Sequence, residues 1–215
     1  MAKTNEKWLW LPDWASDLSL WQDDLTEVEP SASHAFVPYA AMADSLEDLY
    51  KVSGLSKADV VVGWGMGAFA LLMNSAKRPA NQRWILLSPY ADFCDDEGDW
   101  TVTNLHFMAH QMQTTTEPGL NSFAEQFEDE FGEWQDDWMA AAKKMSAEKL
   151  AKGVKYLADN RLTEPLENCD GIEVLYGRMD RAVPPAQTLK LKDYLPGVPF
   201  KERPKAGHWP PQLLL

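Results

Sequence analysis

The chain has 215 residues, 45% of them hydrophobic and 11% aromatic, so a single domain with a sizeable core is expected. Its net charge of −13 repels nucleic-acid phosphates and anionic lipid surfaces, which argues against both as partners. No stretch is apolar for long enough to span a membrane, and the first residues lack the apolar core of a signal peptide. We therefore expect a cytoplasmic protein, and a monomer.

Six short apolar stretches with β-branched or aromatic residues predict strands. They lie at 7–12, 34–39, 58–64, 83–89, 171–177 and 199–204. Helical patterns lie between them, at about 40–53, at 68–77, in several pieces from 100 to 160, and at 184–195. Strands that alternate with helices predict an α/β fold with a mostly parallel sheet flanked by helices.

One connection is much longer than an ordinary crossover between strands. It separates the fourth and fifth predicted strands, and its mostly helical sequence is rich in Met, Phe and Trp. We interpret approximately 91–162 as a helical cap inserted into the single domain. Its first half is acidic: no Lys or Arg occurs from Trp84 to Ala142, and acids cluster in 92–100 and 127–138.

The run VVVGWGMGAFALL, at 60–72, joins a predicted strand to a predicted helix through three glycines. One interpretation is a dinucleotide site, with Gly63, Gly65 and Ala68 as G-x-G-x-x-A and a phosphate at the helix N-terminus. That fingerprint usually follows the first strand and needs an acid at the end of the next one. Here two predicted strands precede it, and the next strand ends in LLSPY.

The better match is a nucleophile elbow, G-x-S-x-G, which presents a serine on a sharp turn between strand and helix. Gly63, Met66 and Gly67 fit, and Gly65 stands where the serine is expected. The elbow holds its central residue in a strained backbone conformation between small neighbours. A glycine at position 65 keeps this turn and removes the hydroxyl.

Two later residues match the acid and histidine of a hydrolase triad, in the chain order nucleophile, acid, histidine. Asp180 follows one late strand in VLYGRMDRAVP, and His208 follows the next in KAGHWP. His208 would be the general base, oriented by Asp180. Either residue alone has an ordinary explanation in a surface loop, but their order and their placement with the elbow favour catalysis.

The loop PDWASDLSLW, which follows the first strand, supplies the rest of the predicted site. Such a loop normally gives one backbone N–H to the oxyanion hole, and the residue after the nucleophile gives the other, so we assign Trp14 and Met66. Asp13 stands where such enzymes often have glycine. Trp14 and Trp64 flank the site and could line an acyl pocket.

With these residues placed, the sequence resembles the pimeloyl-acyl-carrier-protein methyl ester esterases of biotin synthesis, a branch of the α/β-hydrolase superfamily. The resemblance is carried by PDWASDLSLW (12–21), GWGMGA (63–68), SPYADFCDDEGDW (88–100), LTEPLENCDGIEVLYGRMDRAVP (162–184) and KAGHWP (205–210). It implies an α/β-hydrolase fold and hydrolysis of the methyl ester on a pimeloyl chain bound to acyl-carrier protein. No metal or redox cofactor would be needed.

Two departures bear on these implications. Family members meet the acidic carrier with basic residues on the cap, which here leaves Lys143, Lys144, Lys149, Lys152 and Lys155 as candidate carrier contacts. A serine esterase with Gly65 at the nucleophile position is expected to be inactive, since loss of the nucleophile typically costs about a millionfold in turnover.

The glycine has two explanations, an engineered Ser→Gly change, which we favour because Asp180 and His208 are retained, or a natural loss. Two other functions stay open. They are a carboxylesterase for small esters, and a non-catalytic protein that binds an acyl chain or its carrier.

Overall fold

The computed structural model describes residues 5–94, 100–126 and 134–214, so 95–99 and 127–133 of the two acidic runs lie outside the described residues. Within the described residues, six parallel strands form one sheet in the order β2-β1-β3-β4-β5-β6. The strands are β1 (Lys7–Leu11), β2 (Ser33–Phe36), β3 (Val60–Trp64), β4 (Arg83–Leu87), β5 (Ile172–Gly177) and β6 (Phe200–Arg203). Each lies within or overlaps a predicted stretch, which confirms the parallel α/β arrangement.

Helices connect the strands, as the alternating pattern predicts. The α-helices are α1 (Gln22–Thr26), α2 (Tyr39–Asp44), α3 (Met66–Met73), α4 (Val102–Thr114), α5 (Thr116–Gln126), α6 (Gln135–Ala142), α7 (Ala147–Asp159), α8 (Pro185–Leu189) and α9 (Pro210–Leu214). Short 3₁₀ turns occupy Leu18–Trp21, Leu46–Lys51, Leu55–Lys57, Ser75–Lys77 and Lys190–Asp193.

The helix predicted at 40–53 is broken into α2 and a 3₁₀ turn. Backbone groups of the 3₁₀ turn bond to the side chain of Asn74. The Asn74 amide donates to the carbonyl oxygens of Leu46 (3.3 Å) and Ala70 (3.0 Å), and its side-chain oxygen accepts from the Leu49 N–H (3.1 Å). A side chain that bonds backbone groups in this way competes with regular helix.

Helices α4 to α7 lie between β4 and β5, in the segment interpreted as a cap. Two hydrogen bonds attach α7 to the sheet side of the molecule: the Trp14 indole donates to the Leu150 carbonyl (3.0 Å), and the Tyr39 hydroxyl donates to the Lys149 carbonyl (3.1 Å). A side chain at Gly153 would overlap the Tyr39 hydroxyl, so this helix approaches the core closely. No helix in the described parts of the chain could cross a membrane.

The glycines on either side of the elbow allow close packing. A Cβ at Gly67 would lie 2.7 Å from the Pro12 carbonyl oxygen and 2.8 Å from that of Leu11, so only a residue without a side chain fits against the end of β1. A Cβ at Gly63 would lie 2.7 Å from the Cα of Ala68. The Gly67 contact sets the distance between the elbow and the loop that follows β1, and the Gly63 contact sets how closely α3 packs against β3.

We expect Gly67→Ala to lower the free energy of unfolding by about 1–3 kcal/mol, because the added methyl group meets backbone atoms that cannot turn away. Urea unfolding monitored by tryptophan fluorescence measures this. Gly119→Ala in α5 is the matched control, since a Cβ there meets the flexible end of Met112 and alanine favours helix. Equal losses in the two variants would contradict the close approach at Gly67.

Candidate active site

The turn from β3 into α3 has the strained geometry of an elbow. Gly65 lies in the left-handed region, at φ 50° and ψ −111°, and its N–H donates to the Leu87 carbonyl (2.9 Å). A Cβ built at Gly65 would overlap the carboxyl carbon and both carboxyl oxygens of Asp13. The space in which an elbow side chain would begin is therefore filled by the Asp13 carboxylate.

Asp13 follows β1 and is hydrogen-bonded from its own loop, from the elbow and from the segment after β6. Its Oδ1 accepts from the backbone N–H groups of Trp14 (2.7 Å) and Met66 (2.6 Å), and its Oδ2 lies 2.9 Å from Nε2 of His208. The two N–H groups assigned from sequence to an oxyanion hole thus point at one oxygen atom. This oxygen is Oδ1 of Asp13, so a carboxylate of the protein itself occupies the predicted oxyanion hole.

The same N–H of Met66 is at the N-terminus of α3, where a dinucleotide phosphate would bind. The Asp13 carboxylate occupies this position, so a phosphate would have to displace an anion from its donors. The geometry therefore disfavours the dinucleotide interpretation.

Asp180 and His208 come together at the carboxyl ends of β5 and β6. Nδ1 of His208 lies 2.8 Å from Oδ2 of Asp180, and this oxygen also accepts from the Ser88 hydroxyl (2.6 Å). The other oxygen of Asp180 accepts from the Val183 N–H (2.7 Å). Both oxygens of this buried carboxylate are thus hydrogen-bonded, which fixes its orientation toward the imidazole.

The backbone around this pair is also held. Ser88, buried at the end of β4, has φ 45°, an uncommon conformation for a non-glycine residue, which places its hydroxyl against Asp180. The Trp64 indole donates to the His208 carbonyl (3.0 Å), and the centroids of the Trp64 and His208 rings lie 5.3 Å apart. The histidine is therefore positioned from the elbow strand as well as from Asp180.

His208 lies between two carboxylates and is almost completely buried. Burial alone would lower the pKa of its imidazole, but the charge of Asp180 and the hydrogen bonds to Asp13 and Asp180 outweigh it and hold the pKa of His208 well above its ordinary value. The resting state is therefore an imidazolium that donates one N–H to each carboxylate.

This raised pKa predicts a dependence of stability on pH. Below the unfolded-state pKa of about 6.5 both states carry the proton and the stabilisation is complete. As the pH rises from there through the folded-state pKa, the unfolded chain binds fewer protons than the folded one, so the free energy of unfolding falls. We expect the stability difference between wild type and His208→Gln to shrink over this range in urea titrations from pH 6 upward. A difference that stays constant, or grows with pH, would contradict an imidazolium in the folded state.

An aromatic cavity opens beside Asp13 and His208. Its aromatic lining consists of Trp14, Trp64, Tyr90, Phe93, Trp100, Phe123, Trp138 and Trp209. Leu105 and Met108 from α4 and Val154 and Leu157 from α7 add aliphatic surface. Among the described residues, Asp13 and His208 are the charged ones in this lining. The cavity therefore suits an uncharged, apolar part of a ligand.

Most of the site residues predicted from sequence meet at this cavity: Trp14, Trp64 and His208 line it, and Gly65, Met66 and Asp180 lie directly behind them. The lysines proposed for carrier binding lie elsewhere, at the end of α6 and along α7. Lys143 pairs with Glu117 (2.6 Å), Lys149 pairs with Asp44, and Lys152 donates to the Asp44 carbonyl (3.2 Å).

Asp13 is the functional candidate that the sequence analysis left without a role. The signal was present in two places: Asp13 stands where such enzymes often have glycine, and Gly65 stands where the sequence analysis expects a serine. Each substitution alone looks like a loss. Only the distances reveal that the Asp13 carboxyl group fills the space in which a side chain at position 65 would begin.

The fold is similar to that of several solved hydrolases. An esterase from Exiguobacterium antarcticum superposes with a TM-score of 0.69 at 14% identity, over 95% of this chain and 85% of that one. A thermophilic esterase from Thermogutta terrifontis gives 0.69 at 20% identity, over 98% and 85%. An enol-lactonase from Burkholderia xenovorans gives 0.64 at 16% identity, over 94% and 84%.

No protein-family model matches the sequence, and no curated protein matches it either. Structural likeness at these identities establishes the fold, so the chain has the α/β-hydrolase fold predicted from its sequence.

Proposed function

We propose that this chain is a hydrolase with His208 and Asp180 as its acid–base pair. The proposal rests on one observation: three N–H groups, from Trp14, Met66 and His208, converge on a single carboxylate at the elbow. Donors held ready at one point stabilise negative charge that develops there during a reaction. The donors come from the loop after β1, from the elbow and from the segment after β6, so these three parts of the site meet at one carboxylate.

The cavity supports an apolar substrate. Its walls are aromatic and aliphatic, and burial, with a smaller contribution from Asp13, holds the pKa of Tyr90 well above its ordinary value, so that this phenol is neutral. A medium-length acyl or alkyl chain would bury apolar surface there. A charged group would lose its hydration without finding an opposite charge other than those of the reacting residues.

Carboxylic esters are the substrate class that the sequence resemblance favours. The specific substrate that it implies is the methyl ester of pimeloyl-acyl-carrier protein. A carrier would need the positive charge of the cap lysines. Since Lys143 and Lys149 pair with carboxylates and Lys152 contacts a carbonyl, Lys144 and Lys155 are the first candidates for carrier binding. Comparison of free methyl pimelate with the carrier-bound form tests this part separately.

A second candidate is a non-catalytic protein that binds an acyl chain. The specific observation in its favour is that Asp13 occupies the oxyanion hole while Gly65 offers no nucleophile. Such a protein would bind a medium-chain ester without turning it over.

We expect the wild-type chain to hydrolyse at least one member of a panel of methyl and p-nitrophenyl esters and terminal epoxides with about four to twelve carbon atoms, because the cavity beside His208 has mostly apolar walls. His208→Ala should reduce that turnover to background. Equal turnover in both proteins, or none in either despite ligand binding in calorimetry, would favour the binding protein and contradict the hydrolase.

A further inference from the structure

We propose that Asp13 is the nucleophile of this site and that it attacks an sp3 carbon of an apolar alkyl electrophile, such as a terminal epoxide. The product of this attack is an alkyl ester of the Asp13 carboxylate. The inference rests on the proposed function, because it assigns the reacting atom and the substrate class of that hydrolase.

The first argument is position. The elbow of this fold presents one side chain to the histidine, and here the atoms found at that place are the carboxyl group of Asp13. Its Oδ2 lies 2.9 Å from Nε2 of His208, so the imidazolium that would protonate the leaving oxygen lies beside the attacking atom. Asp13 also lines the aromatic cavity and keeps 19% of its side chain exposed.

The second argument is the number of acceptor positions. An ionised carboxylate offers about four lone-pair positions. Two N–H groups use those of Oδ1, and His208 uses one on Oδ2. By this count of the described contacts, the position that is left belongs to Oδ2, the oxygen nearest to His208.

The third argument concerns the oxyanion hole and selects the substrate class. Attack on an acyl ester places an oxyanion on the substrate, which needs the N–H groups of Trp14 and Met66. Oδ1 of Asp13 already occupies both donors. Attack on an sp3 carbon develops no oxyanion at that carbon, so the occupied hole does not obstruct it.

The hole is then used in the second step. When water attacks the carboxyl carbon of an alkylated Asp13, the negative charge develops on Oδ1, the atom that the two N–H groups already hold. The arrangement is thus prepared for hydrolysis of an ester formed on the protein itself.

The atoms and charges balance over a full cycle with an epoxide. Oδ2 of Asp13 forms a bond to the terminal carbon, the ring C–O bond breaks, and the ring oxygen takes the proton of the His208 imidazolium. Neutral His208 then accepts a proton from water as its oxygen adds to the carboxyl carbon. The bond between that carbon and Oδ2 then breaks, and the alkoxide that leaves takes the proton back from His208. The carboxylic acid that remains on Asp13 protonates His208 and restores the resting state. The net reaction adds water to the epoxide and gives a diol.

The fate of the oxygen atoms tests this cycle. We expect that a single turnover of 1,2-epoxyoctane in H2¹⁸O, with enzyme in excess, places one ¹⁸O in the side chain of Asp13 and leaves the first diol unlabelled. Fragmentation of the peptide that contains residue 13 locates the label. Asp17, on the same loop, is the internal control and should stay unlabelled.

A second measurement uses His208→Gln. Water must then protonate the ring oxygen in place of the imidazolium, so the ester should form more slowly than in wild type, and without a base it should not hydrolyse. The intact mass is then expected to rise by that of one epoxide molecule, at Asp13, whereas His208→Gln combined with Asp13→Asn should show no adduct. Absence of both the label and the adduct would overturn the nucleophile. Hydrolysis of esters that depends on His208 would then still support the proposed hydrolase, so the two failures are distinguishable.

Discussion

Asp180→Asn is expected to lower the turnover of the best substrate about ten-thousandfold, the typical effect of this replacement where an aspartate orients a catalytic histidine. The carboxylate accepts from Ser88, His208 and Val183, and an amide can accept at only one of its two ends. Its NH2 group would face either the Val183 N–H or the Ser88 hydroxyl and the His208 N–H. In both cases two donors would meet with no acceptor between them. The imidazole would lose both its orientation and the nearest negative charge.

The same replacement should lower the pKa of His208, because the charge of Asp180 is the largest of the influences that raise it against burial. An NMR titration of the imidazole separates this electrostatic role from a general loss of structure. Asp23→Asn, on the exposed face of α1, is the matched control and should change neither turnover nor the titration. A turnover within tenfold of wild type, or an unchanged pKa, would contradict the role of Asp180.

Gly65→Ser is expected to destabilise the protein by about 2–4 kcal/mol, and not to create an efficient esterase. The serine Cβ would overlap the Asp13 carboxyl group, and a side chain at φ 50° is itself unfavourable. Moving Asp13 away would break its charged hydrogen bonds with Trp14, Met66 and His208. Thermal and urea unfolding measure the loss.

The double variant Asp13→Gly, Gly65→Ser removes the overlap and empties the oxyanion hole. We expect it to be more stable than the sum of the two single changes predicts, since residues in contact show coupled effects. It should also gain p-nitrophenyl esterase activity that depends on His208. Strictly additive stabilities would contradict the pairing of positions 13 and 65.

This pairing bears on the origin of Gly65. A serine replaced by glycine in an otherwise ordinary esterase would leave the oxyanion hole open for substrate, whereas here Asp13 fills both the hole and the place of the missing side chain. We therefore propose that Asp13 and Gly65 belong together, in preference to the engineered change that the sequence analysis favours.

The sequence by itself determined the parallel α/β arrangement, because strands buried on both faces need continuous apolar runs and their crossovers need helices. Buried strands such as VVVGW and RWILL carry that pattern in consecutive residues, so it is readable locally. The order of the elbow, Asp180 and His208 along the chain was readable in the same way, and the structure brings these three positions together.

What the tertiary structure alone decided is the occupant of the elbow. Positions 13 and 65 are far apart in sequence, and no periodicity or spacing relates an aspartate after β1 to a glycine after β3. Parallel strands end at the same edge of the sheet, and β1 and β3 are neighbours there, so the loop of one delivers a carboxylate into the turn of the other. The short distance between Asp13 and the elbow follows from packing between strands and not from either segment alone. The same packing places His208 between two carboxylates.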